Sequence, residues 1–145
     1  MGTRLVNSDG PEQTAAIAAE LARDLRAGDC IALHGELGAG KTQFVRGLVT
    51  GLGGPTRRVC SPTFVLLNVY SGGRLAVYHL DAYRTGGAED FEAIGFSELL
   101  EQGGVIAVEW AERVAPILPS RRLDVTLTAL NESGRLIRIE YPAEA

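Results

Sequence analysis

Lysine is almost missing from this chain. Among 145 residues there is one, Lys41, and the other thirteen cationic side chains are arginine. Cysteine is nearly as scarce: two thiols, Cys30 and Cys60, without metal-ligand spacing, argue against a zinc site or a disulfide scaffold. No apolar run approaches the length of a membrane span, and the N-terminus lacks a basic-then-apolar leader. A cytoplasmic chain without membrane contact is the expectation. Basic patches are also lacking. Net charge is −4, and only Arg57-Arg58 and Arg121-Arg122 are adjacent. A protein that grips RNA or DNA alone presents a basic face, so any nucleic acid would come close only through a partner protein.

Apolar side chains make up 46% of the residues, and glycine, at 18, is abundant against 6% aromatics. That profile suits an α/β protein with many tight turns, and the length suits one domain over residues 1–145. Arg4, Leu5 and Val6 form a short strand. Ser8 or Asp9 offers a cap and Pro11 suits the first turn of a helix running to Ala27 and Gly28. Cys30, Ile31, Ala32 and Leu33 make a buried strand, and Phe44, Val45, Leu48, Val49 and Leu52 carry helical spacing. Residues 64–70 and 75–80 read as strands joined by a turn at Ser71, Gly72 and Gly73. Residues 88–100 read as a helix broken near Gly95, and 105–108 as a further buried strand. Residues 123–130 and 136–141 read as a closing hairpin turned at Asn131, Glu132, Ser133 and Gly134. The order implies one α/β domain: a mixed, mostly parallel sheet flanked by helices, with a C-terminal hairpin.

Gly35-Glu36-Leu37-Gly38-Ala39-Gly40-Lys41-Thr42 sits between the second strand and the helix after it. This is the phosphate-binding loop in its proper context, so a P-loop NTPase fold is expected. Glycines let successive backbone N–H groups turn toward phosphate oxygens, and the helix start adds the positive end of its dipole. Lys41 would neutralise the β- and γ-phosphates, and the Thr42 hydroxyl is a natural Mg2+ ligand. A compact ammonium fits inside such a loop where a planar guanidinium does not, which gives the sole lysine a reason.

Two buried strands run into acids, Asp81 and Glu109, and strand ends of an α/β sheet face its ligand crevice. Either acid could hold Mg2+ directly, hold it through water, or orient an attacking water. Ser61-Pro62-Thr63-Phe64 stands where P-loop proteins carry a nucleotide-sensing switch, though an ordinary Ser-Pro turn has the same residues. His34 and His79 end apolar strands without a visible catalytic pairing and read as structural. Trp110 reads as core, while Arg84 could face phosphate or a partner.

The loop, Ser61-Pro62-Thr63-Phe64, Tyr78-His79-Leu80-Asp81-Ala82-Tyr83-Arg84 and Val108-Glu109-Trp110 together resemble the TsaE family in order and spacing. The loop alone is generic, and the other three segments are specific. The resemblance implies an ATPase, slow on its own, that attaches to a complex of TsaD and TsaB. In that complex TsaD transfers a threonylcarbamoyl group to the adenosine beside the anticodon of tRNAs reading codons that start with A. The ATPase resets or activates the complex between turnovers and touches tRNA only through it. Carried onto this chain, the resemblance makes Gly35, Glu36, Leu37, Gly38, Ala39, Gly40, Lys41 and Thr42 the ATP site, with Thr42 and Glu109 on Mg2+. Lys41, Asp81 and Glu109 become the catalytic groups. Thr14, Ser61, Thr63 and Arg135 become further nucleotide contacts, and Trp110 lies beside the metal. Leu80 and Ala82 are smaller than the residues other members carry around Asp81.

Three other readings compete. A stand-alone small-molecule kinase needs an acceptor pocket and an Arg-bearing lid, and little chain is left for either. A GTPase switch needs an Asn-Lys-x-Asp-type segment, which is absent. A pure interaction module would bind nucleotide without turnover.

Overall fold

The computed structural model describes residues 2–36, 38–54, 67–82, 89 and 95–142. Leu37, Cys60, Ser61, Thr63, Tyr83 and Arg84 lie outside them, as does most of the stretch expected to be helical before Gly95. The described elements are β1 (Thr3–Ser8), α1 (Pro11–Ala22), β2 (Cys30–His34), α2 (Lys41–Gly51), β3 (Leu67–Tyr70), β4 (Val77–Asp81), α3 (Phe96–Leu100), β5 (Val105–Glu109), a 3-10 segment (Ala111–Ile117), β6 (Leu123–Ala129) and β7 (Arg135–Glu140). The strands form one mixed sheet in the order β1-β7-β6-β2-β5-β4-β3. β6, β2, β5 and β4 are mutually parallel at its centre, and the pairs β1–β7, β6–β7 and β3–β4 are antiparallel at its edges.

The continuous apolar runs of β2 and β5 follow from burial on both faces. Ile31, Leu33, Val105, Ala107, Val125 and Leu127 face a core made with α1 and α2. Cys30, Ala32, Ile106 and Val108 face a second core with Phe96, Ala111, Val114 and Leu118. The closing hairpin turns as its residues suggest: Asn131 Oδ1 accepts the backbone N–H groups of Ser133 at 3.2 Å and Gly134 at 2.7 Å.

The first helix departs from expectation at both ends. Its N-cap is Gly10, not Ser8 or Asp9. Ser8 is spent elsewhere, donating to the Gly10 carbonyl at 2.8 Å and sharing a 2.7 Å bond with Thr14. The helix stops at Ala22, short of Gly28, because Arg74 donates to the carbonyls of Ala22 at 3.0 Å and Leu25 at 3.1 Å, and because the Asp29 carboxylate accepts the Arg26 N–H. The chain can then turn back into β2.

Helices α1 and α2 touch almost backbone to backbone. A Cβ on Gly47 would lie 2.1 Å from the Ala15 carbonyl oxygen, and one on Gly51 would lie 2.5 Å from that of Ala19. This contact carries the N-terminal turn of α1, with Thr14, to the side of the loop that precedes α2.

Candidate phosphate-binding site

The site is built at the carboxyl ends of three adjacent parallel strands. Leu33 of β2 pairs in register with Glu109 of β5, and Glu109 with Asp81 of β4. β2 then runs out into the loop that precedes α2. The chain enters α2 through Gly40, whose φ of 105° and ψ of 17° are left-handed. Only glycine holds that conformation without strain, and it brings the helix start against the loop. Within the loop the Ala39 N–H donates to the Glu36 carbonyl at 3.0 Å.

Lys41 points back across this turn. Its ammonium donates to the Gly35 carbonyl at 2.6 Å and stands 3.4 Å from the centroid of the Trp110 ring. Trp110 holds a φ of 57°, the one positive value among the described non-glycine residues. Such backbone costs a bulky side chain about 1–3 kcal/mol and is found where surrounding structure enforces it. Burial pushes the Lys41 ammonium below the ordinary lysine value, while Glu109, Glu112 and Asp81 pull it part of the way back. A buried cation near carboxylates at the start of a helix is arranged to meet negative charge.

Thr42 donates its hydroxyl to Glu109 Oε2 at 3.2 Å. Glu109 is 4% exposed and Asp81 6%. No group of three His, Cys, Asp or Glu side chains that could cage a metal occurs among the described residues. A hydroxyl and a carboxylate beside a phosphate loop nevertheless fit Mg2+, which prefers few protein oxygens and completes its shell with water and phosphate oxygens.

On the other side of the loop lies a cavity of about 370 Å3. Gly10, Pro11 and Thr14 of α1 and its approach, Gly38, Gly40 and Gln43 of the loop and α2, and Glu132, Ser133 and Arg135 of the hairpin line it. Thr14 and Arg135, distant in sequence, are thus brought together with the loop. Most of the Arg135 guanidinium is already engaged: Nε donates to the Ala39 carbonyl and an Nη to that of Gly38, both at 3.1 Å. A further Nη donates to the carbonyls of Gly134, Asn131 and Glu132. Arg135 ties the hairpin to the loop, a role that its position in sequence does not suggest.

The histidines have carboxylate partners. His34 Nε2 lies 2.9 Å from Asp124 and Nδ1 3.4 Å from Glu112. His79, fully buried, places Nε2 at 2.5 Å from Glu109 Oε2. His79 is therefore satisfied, as a structural histidine should be, but by the acid at the centre of the site. The available signal was strand alternation, which sets residues 79 and 81 on one face. Cys30 is no candidate nucleophile: burial pushes its thiol up to about 12, and it begins β2, at the end away from the loop.

A family model described as "Threonylcarbamoyl adenosine biosynthesis protein TsaE" matches residues 8–137. The chain belongs to the TsaE family. It is 42% identical to the tRNA threonylcarbamoyladenosine biosynthesis protein TsaE of Treponema pallidum over 91% of this chain and 96% of that relative. It is 41% identical to the Bacillus subtilis protein of the same name, over 88% of this chain and 78% of the relative. Its fold matches the crystal structure of YdiB from Bacillus subtilis with a TM-score of 0.80 and 32% identity, over 97% of this chain and 86% of that one. The family match embraces the loop, both strand-end acids, Thr14 and Arg135. The sequence expectation of a TsaE-type α/β domain holds.

Proposed function

We propose that this chain binds ATP with Mg2+ on the 35–42 loop, hydrolyses it slowly, and serves as the ATPase accessory to a TsaB–TsaD complex that forms threonylcarbamoyladenosine in tRNA. Family membership supports the pathway. The single observation that supports the chemistry is the meeting of Lys41, Thr42 and Glu109 at one loop: a buried ammonium, and a hydroxyl 3.2 Å from a buried carboxylate.

In this reading the loop amides and Lys41 hold the phosphates, with the ammonium exchanging the Gly35 carbonyl for a charged partner. Thr42 and Glu109 would hold Mg2+, which would supply positive charge against the phosphates. Asp81, one strand beyond Glu109, would act near the γ-phosphate, by orienting the attacking water or through a metal-bound water. Thr14, Arg135 and the cavity between them take the part of the nucleotide beyond the phosphates, and Ser61 and Thr63 are further nucleotide contacts. Contact with tRNA comes only through the partner complex, consistent with the absence of a basic face in the sequence, and places the work in the cytoplasm. Among the described residues no helix is long and apolar enough to cross a membrane.

The test is the ATP hydrolysis rate, alone and with TsaB and TsaD added, with Lys41→Ala as control. Stimulation by the partners, abolished in the variant, is the expected result. A rate that ignores the partners and responds to a small acceptor would overturn the accessory reading in favour of a kinase.

A further inference from the structure

A line of hydrogen bonds leads from the sheet edge to the first turn of α2. The Tyr70 hydroxyl on β3 lies 3.3 Å from His79 Nδ1 on β4, His79 Nε2 lies 2.5 Å from Glu109 Oε2 on β5, and the same oxygen accepts from Thr42 at 3.2 Å. His79 is 0% exposed and Tyr70 5%, so the outer half of this line is sealed inside the sheet. One proton arrangement satisfies it throughout: Tyr70 donates to Nδ1, and a neutral imidazole carrying its proton on Nε2 donates to the carboxylate.

Glu109 Oε2 therefore has two donors of different standing. Thr42 stands at the surface of the site, and its hydroxyl oxygen is the atom that the proposed metal reading requires. His79 has no such second use. When Thr42 is engaged elsewhere, the imidazole is the donor that still fixes where the carboxylate points. A buried carboxylate without such a donor would depend on Thr42 alone, and so compete for a group the site needs.

We propose that His79, backed by Tyr70, is a positioning residue for Glu109: it holds the carboxylate in the orientation that lets Thr42 and Glu109 act together on a divalent cation. The proposal rests on the reading of Thr42 and Glu109 as the magnesium pair. It differs from a purely structural role in what it requires, because the loss should fall on metal-dependent binding and not on the loop's hold on phosphate.

The experiment measures the affinity for a non-hydrolysable ATP analogue by calorimetry, with Mg2+ and with EDTA. The proteins are the wild type, His79→Leu and His79→Gln. The readout is the ratio of the two affinities. Removing a partner that orients a metal ligand costs roughly 10–100-fold in metal affinity or activity, so His79→Leu should lose about tenfold or more of the ratio while its EDTA affinity stays near wild type. Glutamine, whose amide N–H reaches about as far as Nε2, should retain most of the ratio. If His79→Leu keeps the wild-type ratio, or loses affinity equally with and without Mg2+, the proposal is overturned. Should His79→Leu fail to fold, His79→Asn replaces it: its shorter amide stops short of Glu109, and a ratio equal to that of His79→Gln sinks the idea. A wild type without any Mg2+ benefit would overturn the metal reading and this proposal with it. A wild-type benefit that both His79 variants retain would overturn this proposal alone.

Discussion

At the scale of the residue, the site is governed by charges that are buried before any phosphate is bound. Glu109 is the clearest case. From its sequence position alone, Glu109→Ala is a clean removal of a metal ligand that leaves the fold intact. The structure argues otherwise, since alanine would strand the His79 Nε2–H inside the sheet. Leaving a buried donor unpaired costs about 1–3 kcal/mol. Chemical denaturation should therefore find Glu109→Ala destabilised by that amount, and Glu109→Gln, which can still accept the bond, much closer to wild type. Both variants should lose Mg2+-dependent turnover. Equal stability of the two would mean that the His79 bond contributes nothing.

Lys41 makes the opposite prediction. Burial lowers its pKa below the ordinary 10.5, so the folded chain binds this proton more weakly than the unfolded chain does. The stability contributed by the neutral amine is present above pH 10.5 and is lost as the pH falls through the lowered folded value. As the pH falls the protein takes on the cost of a buried ammonium, partly offset by Glu109, Glu112 and Asp81. Lys41→Met removes that cost and, on the proposed reading, should end phosphate binding. Relative to wild type, the variant should be more stable in urea unfolding at pH 7 than at pH 10.5. A difference that ran the other way would show that burial is not the ruling influence on this lysine.

At the scale of the element, the positioning of Thr14 depends on two glycines on the face of α2 that meets α1. In an open helix, replacing glycine with alanine stabilises by about 1 kcal/mol. At Gly47 the added Cβ would meet the Ala15 carbonyl oxygen at 2.1 Å, and overpacking of this kind costs roughly 1–3 kcal/mol. Gly47→Ala should thus destabilise, and the separation it forces should move Thr14 away from the loop and weaken ATP binding. A variant more stable than wild type would show that α1 and α2 are not held in this contact. The hairpin is the second positioning element. Arg135 bridges the carbonyls of Gly38 and Ala39 with a planar fork, which a lysine at the same position cannot imitate. The element that holds the loop from outside thus lies almost a hundred residues beyond it in sequence.

At the scale of the whole molecule, ATP with Mg2+ would bring together groups from α1, the loop, β4, β5 and the hairpin, and so should stabilise the entire domain. At a nucleotide concentration about 100 times Kd, mass action contributes roughly 2.7 kcal/mol. For a chain of this size that corresponds to a rise in Tm of about 5–10 °C, which thermal melts with and without the nucleotide would show. Lys41→Met should show no rise, and a full shift in that variant would place the nucleotide elsewhere. The phosphate loop, the strand ahead of it and the helix behind it were legible in the sequence because each is local: glycine spacing, a buried apolar run and 3.6-residue periodicity need no distant partner. Asp81 and Glu109 were legible as strand-end acids for the same reason. Local pattern could not say where α1 stops, because Arg74 from the β3–β4 turn binds the carbonyl of its last residue, Ala22, and that of Leu25 beyond it. Nor could it pair His79 with Glu109, place the Trp110 ring against Lys41, or show Arg135 holding the loop. Those contacts join residues far apart along the chain, and only the packing of parallel strands in the order β6-β2-β5-β4, with a hairpin folded beside them, brings the partners within bonding distance.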